Sequence, residues 1–206
     1  MIKDPKTEIL KASAKIFSEK GYSKATVREI CREAGVNLAL VNYHFGDKEN
    51  LYKTLILNTF AELSKSEKTP PIQGSTPLAK LKEMIYHTIL KVSDPDIPVW
   101  LEKILDRELL EESPLKEIIF NEVISKDVKI LESCISEYLE MDKDSKEIKL
   151  LIGNIMGMFL FYRKTNPIYV YIMKKNKIKK EEALEFSEFV FDFIVHGLKG
   201  IKRKNQ

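Results

Sequence analysis

The sequence predicts an all-α protein, and three observations predict it. Helix-start signatures recur along the chain: Asp4-Pro5, Thr26-Val27-Arg28-Glu29, Thr76-Pro77, Ser113-Pro114 and Asn166-Pro167. Each is a capping residue followed by proline or, at 26–29, by the glutamate of a capping box. Between them, apolar residues return at three- and four-residue intervals. No stretch alternates long enough to read as a strand, and eight glycines and eight prolines in 206 residues leave little material for tight β-turns.

The elements follow in order. The helix opened by Asp4-Pro5 carries Ile9, Leu10, Ala14, Ile16 and Phe17, and Gly21 stops it. Thr26 caps a helix of about two turns that ends at Gly35, a residue that takes the left-handed conformation cheaply. Asn37 caps the next short helix. Asp47 caps the one after, which holds Leu51, Leu55 and Phe60. Residues 64–76 contain Pro70, Pro71 and Gly74 among small polar residues and read as a linker. The expected organisation is therefore a helix-turn-helix module over 1–63 and a larger helical body over 76–206.

Two body helices, about 144–164 and 180–199, are apolar on more than one face, whereas a surface helix needs a single stripe. Ile148, Ile152 and Met156 on the first, and Phe186, Phe189, Val190, Phe193 and Ile194 on the second, exceed that need. Gly153 and Gly157 share one face and allow a neighbouring helix close approach. The excess is buried either against a second copy of the chain or as the centre of a monomer core. The dimer is the expectation.

Composition narrows the class. Hydrophobic residues make up 44% and charged residues 32%, which suits an ordered, soluble chain. The net charge of +3 is unevenly placed. Residues 1–60 hold ten Lys/Arg against seven Asp/Glu, so the N-terminal segment is basic, while 61–206 balances. A basic end favours a polyanionic partner. Cys31 and Cys134 fit no metal-ligand spacing and point to a reduced, cytoplasmic chain. The N-terminus has no apolar signal region, and the longest apolar run, from Leu150 to Phe161, is too short for a span of roughly 20 residues, so no membrane partner is expected. There is no Gly-rich phosphate loop, no Gly-x-Ser-x-Gly, no metal cluster and no CxxC. His44, His87 and His196 fall in three separate helices. No enzyme, catalytic residue, cofactor or metal is expected.

In "VNLALVNYHF" (36–45) ten residues pass without a formal charge. Placed after Gly35, this is the second helix of a helix-turn-helix, the one that enters a DNA major groove. Val36, Leu40 or Val41, and Phe45 are needed inward. The opposite side must touch bases, where Asn, Tyr and His hydrogen-bond and apolar groups meet thymine methyls. Arg28 and Lys48 flank it and suit phosphates.

"TVREICREAGVNLALVNYHFGDKENLY" (Thr26–Tyr52) resembles the DNA-binding signature of the TetR family of bacterial transcription repressors. Thr-x-Arg-x-Ile, Ala-Gly-Val, Tyr-His-Phe and Lys-Glu-x-Leu carry the likeness as a set. "VNYHFGDKENLY" with Pro114-Leu115, Gly153 and Phe161-Tyr162-Arg163 is similar to the CecR-like subgroup. The resemblance implies a three-helix DNA-binding module, a helical effector-binding body and a homodimer on a pseudo-palindromic duplex operator. It further implies phosphate contacts from Thr26, Arg28 and Lys48. Base or sugar contacts would come from Asn37, Leu38, Ala39 and Asn42, and backbone contacts from Tyr43 and His44. Leu38-Ala39 departs from relatives that are polar there, so these two either touch methyl groups or pack. Tyr43 and His44 have packed alternatives of their own. Cys31 stands where the family commonly has alanine and reads as a small buried residue.

The resemblance also implies a pocket for a small-molecule effector of unknown identity, apolar or aromatic in character. Candidate lining residues are the aromatic and polar ones within apolar helices: His87, Trp100, Arg107, Phe120, Asn121, Tyr162 and Arg163. The functional expectation is a ligand-responsive repressor. The rival from another class is a protein-interaction adaptor on the same scaffold that no longer reads DNA.

Overall fold

The computed structural model describes residues 4–66, 72–94, 96–110, 113, 115–162, 167–175 and 179–204. Arg163, Pro114, Asn166 and the linker prolines 70 and 71 lie outside them. Every regular element among the described residues is helical: α1 (Pro5–Lys24), α2 (Val27–Ala34), α3 (Leu38–Phe45), α4 (Lys48–Ser66), α5 (Pro77–Val92), α6 (Val99–Leu110), α7 (Lys116–Ile119), a π-helical segment (Phe120–Ile124), α8 (Ser125–Leu139), α9 (Lys146–Phe161), α10 (Pro167–Met173) and α11 (Lys180–Lys204).

The helix starts follow from local chemistry. The Asp4 carboxylate accepts from the backbone N–H groups of Lys6 and Thr7, and Pro5 needs no N–H partner. Asn37 Oδ1 accepts from Leu40 N–H at 2.9 Å, Asp47 Oδ1 from Asn50 N–H at 2.7 Å, and Thr76 Oγ1 from Ala79 N–H at 3.2 Å. Ser145 does the same for α9 through Ile148 N–H. Gly21 breaks regular helix with φ 75°, yet α1 resumes for a last turn to Lys24.

The chain forms two compact units that are not contiguous in sequence. Unit one comprises residues 1–68 and 97–123, and unit two comprises 69–96 and 124–206. Thus α6 belongs with the N-terminal helices, although the sequence alone places it in the C-terminal body. In unit one, α1 packs on α2, α4 and α6, and α3 rests on α2 and α4. Ile9, Phe17, Ile30, Val41, Leu51, Tyr52, Ile56, Leu101 and Ile104 are buried. In unit two, α8 and α11 pack on α5, and α9 packs on α5 and α8. Its core joins Leu81, Ile85, Ile89, Leu131, Ile135, Ile155, Phe159 and Leu198. Among the described residues no helix is long and apolar enough to cross a membrane.

Ile148, Ile152, Val190 and Ile194, expected on a dimer face, are at most 8% exposed and belong to the core of their own unit. Met156 and Phe186 are half-buried against the same core. The period-3.6 pattern shows that these helices are apolar on two sides, but not which side faces inward. The large apolar residues they leave outside are Leu150 and Leu160 on α9 and Leu184, Phe189 and Phe193 on α11, between 41% and 69% exposed. A methyl group built on Gly153, Gly157, Gly197 or Gly200 meets nothing within 4 Å.

Candidate nucleic-acid interface

The turn between α2 and α3 is built by Gly35. Its φ of 67° is left-handed, and its N–H and that of Val36 satisfy the last carbonyls of α2, Arg32 at 3.4 Å and Cys31 at 3.0 Å. α3 is held to the unit by Val41 and Phe45, which are 2% and 7% exposed. One helical turn fixes the opposite face. Asn37, Leu38, Ala39, Asn42 and Tyr43 are all exposed, Leu38 at 44% and Tyr43 at 83%. Large apolar and aromatic groups on a short, well-capped helix thus stand in water beside two amides. Asn37 uses Oδ1 for its cap, which leaves its amide N–H₂ outward. Arg28 and Arg32 on α2 are exposed as well. Such a face offers donors, acceptors and methyl-sized contacts at the centre and positive charge at the edge.

His44 is half-buried and sits edge-on to Tyr43, ring centroids 5.1 Å apart. Thr26 is committed locally. Its hydroxyl and its N–H both donate to Glu29 Oε2, at 2.8 and 3.0 Å, and its Oγ1 accepts from Glu29 N–H. Lys20 donates to the other Glu29 oxygen at 2.5 Å. The Lys20 bond first, then the Thr26 bonds, lower the Glu29 carboxyl to about 2. The α1–α2 corner is therefore closed by a charged knot, and the Thr26 hydroxyl must leave Glu29 before it donates elsewhere.

Lys48 is the second surprise. Its ammonium donates to Tyr22 O at 2.9 Å and Ala25 O at 3.2 Å and lies 4.3 Å from the centre of the Tyr22 ring. It satisfies two carbonyls at the C-terminal end of α1 and ties the start of α4 to it. The sequence reading missed this clamp. A lysine one turn after a recognition helix suits a phosphate equally well, and the competing carbonyls come from the end of a helix far away in sequence. Burial pushes the Tyr22 phenol up. Cys31 is buried, and burial raises its thiol too, the opposite of what a reactive thiolate needs.

The residues expected around an effector pocket are divided between the units. Trp100, Arg107, Phe120 and Asn121 belong to unit one, and His87 and Tyr162 to unit two. Arg107 Nη2 donates to Glu19 O at 2.9 Å, a bond from α6 to α1. Phe120 and Asn121 are exposed on the π-helical segment. Tyr162 packs between Tyr169 and Phe186, with ring centroids 6.3 and 5.5 Å away. Aromatic and polar identity marked unusual positions along these helices but not the side of the helix each occupies. Among the described residues no group of three His, Cys, Asp or Glu side chains is placed to hold a metal ion.

Two family models match the chain. The model for bacterial regulatory proteins of the tetR family matches residues 9–55. The model for the C-terminal domain of the HTH-type transcriptional dual regulator CecR matches residues 77–201. The chain is 27% identical over 168 residues to the HTH-type transcriptional dual regulator CecR of Shigella flexneri, covering 77% of this chain and 75% of that protein. Among solved structures it is similar to a TetR-like transcriptional regulator from Rhodococcus sp. RHA1, with a TM-score of 0.59 and 16% identity over 95% of this chain and 96% of that one. It is also similar to the fatty acid degradation regulator FadR from Bacillus halodurans, with a TM-score of 0.57 and 18% identity over 93% and 98%. At these identities the two structures speak for the fold.

Proposed function

This chain belongs to the TetR family of bacterial regulatory proteins, a family of transcriptional regulators, and from that premise we propose that it represses transcription as a homodimer on a pseudo-palindromic operator. The observation that carries the reading is α3. Its inner face is spent on Val41 and Phe45, and its outer face presents Asn42, a Tyr43 that is 83% exposed, and Leu38. Tyr43 donates its phenol to a phosphate. Asn42 reads a base edge, and Leu38 and Ala39 meet methyl groups. Arg28 adds phosphate charge from α2. Thr26 and Lys48 serve chiefly as positioning groups, for the hydrogen bonds described above already occupy them.

The homodimer rests on the exposed face of unit two. Leu150 and Leu160 on α9 and Phe189 and Phe193 on α11 stand exposed, and large apolar groups left in water suit burial against a second copy. A symmetric dimer presents two α3 helices, as a pseudo-palindrome with half-sites one DNA turn apart, ~34 Å, requires. A small apolar or aromatic effector shifts the dimer between states by binding one better than the other.

Selection of bound duplexes from sheared DNA of the source organism, at near-physiological salt, tests this. A pseudo-palindrome with half-sites one turn apart is the expected product. Asn42→Ala and Tyr43→Ala should each weaken binding to it about tenfold or more, roughly 1–3 kcal/mol per contact, with the fold intact. A folded dimer that enriches no sequence, or variants that bind as wild type, would overturn the reading in favour of an adaptor.

A further inference from the structure

Unit one also holds a groove that the α3 face does not use. It is an open depression of about 590 Å³ lined by α1, α4 and the start of α6. Ala14 and Leu55 are buried and make its floor with Leu10, and Trp100, the sole tryptophan of the chain, forms one wall. Exposed Lys11 and Lys15 stand on the α1 side, and exposed Asn58 and Glu62 on the α4 side.

We propose that this groove binds a planar aromatic carboxylate. Its volume suits a small molecule, and an apolar floor beside one indole rewards a flat ring. Trp100 is only half-buried, so its ring is open to a ligand in the groove. Lys11 and Lys15 line the opening with Glu62, and their ammonium groups are the donors a ligand carboxylate would take. Both lysines now sit in exposed ion pairs, Lys11 with Glu8 at 3.0 Å and Lys15 with Glu33 at 2.7 Å. Exposed pairs contribute little and exchange readily for a better-placed carboxylate. The Asn58 amide lies within the same lining and adds a donor. α1 and α4 both pack against α3, so a molecule wedged between them bears on the helices that carry the reading face. That last step rests on the DNA-binding reading above, whereas the binding itself does not.

The test is titration of the full chain with 2-naphthoate in the absence of DNA. Calorimetry gives affinity and stoichiometry, and the single indole N–H resonance in NMR reports Trp100. A saturable shift of that resonance with one site per chain is expected. The neutral 2-naphthalenemethanol should bind about tenfold more weakly. The double variant Lys11→Ala/Lys15→Ala should bind acid and alcohol alike, with an unchanged circular dichroism spectrum because both side chains are exposed. A Trp100 resonance unmoved up to roughly 1 mM acid, or equal affinity for the acid in the double variant, overturns the proposal. No DNA enters the measurement, so its failure is distinct from a failure of operator binding.

Discussion

Tyr52→Phe tests whether one buried hydrogen bond fastens α6 to α4. Tyr52 is 1% exposed and Glu108 6%, and the phenol donates to Glu108 Oε1 at 2.7 Å. Among the described residues no donor reaches Glu108 Oε2, so the phenol is a main partner of a carboxylate held away from water. Removing only the hydroxyl keeps the ring and its contacts with Phe17 at 4.4 Å and Tyr22 at 5.2 Å. The loss is then the hydrogen bond plus the stranded acceptor, about 2–3 kcal/mol, the upper part of the range for bonds to charged groups. For a chain of this size that lowers the thermal midpoint by roughly 4–12 °C. Glu108→Gln keeps an acceptor for Tyr52, so it should cost less. Tyr52→Phe/Glu108→Leu should recover much of the loss, because neither partner is left stranded. Thermal unfolding followed by circular dichroism reads all four proteins. A Tyr52→Phe shift below about 1 °C, or a double variant no more stable than Tyr52→Phe, would refute the reasoning.

Three further outcomes follow. Glu29 has a folded pKa lowered from 4.5 to about 2, so its contribution to stability is present above pH 4.5 and fades as pH falls toward 2. A carboxyl NMR titration should find its midpoint near 2, and Lys20→Met should raise it; an unmoved midpoint would discard the Lys20 pair as the main cause. Gly35→Ala meets no steric neighbour but is forced to φ 67°, so the urea midpoint should fall by an amount equivalent to about 1–2 kcal/mol, and an unchanged midpoint would contradict the strain argument. Phe189→Glu/Phe193→Glu should yield folded monomers in sedimentation velocity, and a persistent dimer would place the interface elsewhere.

Much of unit one was legible because its signals are local. A capping residue, a capping-box glutamate and a left-handed glycine act within four residues of one another, so Asp4, Thr26, Gly35, Asn37 and Asp47 can be read in isolation. Helical period placed Phe45 inward but left Leu40 and Val41 open, and the structure buries Val41 and exposes Tyr43. What failed to show needs distant partners. The Lys48 clamp depends on the Tyr22 and Ala25 carbonyls at the end of α1, 26 and 23 residues earlier. Membership of α6 in unit one depends on Tyr52 and Glu19 meeting Glu108 and Arg107. The π-helical segment at Phe120–Ile124 carries no sequence mark that separates it from ordinary helix. In α9 and α11 the excess of apolar residues was visible, yet choosing the inward face required the rest of unit two.

The discontinuity of unit one has a consequence for how the protein is made. Residues 4–66 leave the ribosome before α6, which carries Glu108 and Arg107 and arrives only after α5 has been translated. At about 5–20 residues per second the N-terminal helices wait a few seconds with Tyr52 and the end of α1 unmatched. During that interval the nascent chain already carries a complete α3 on an unfinished support. A fragment cut at the proline-rich linker would be fixed in the same condition for good.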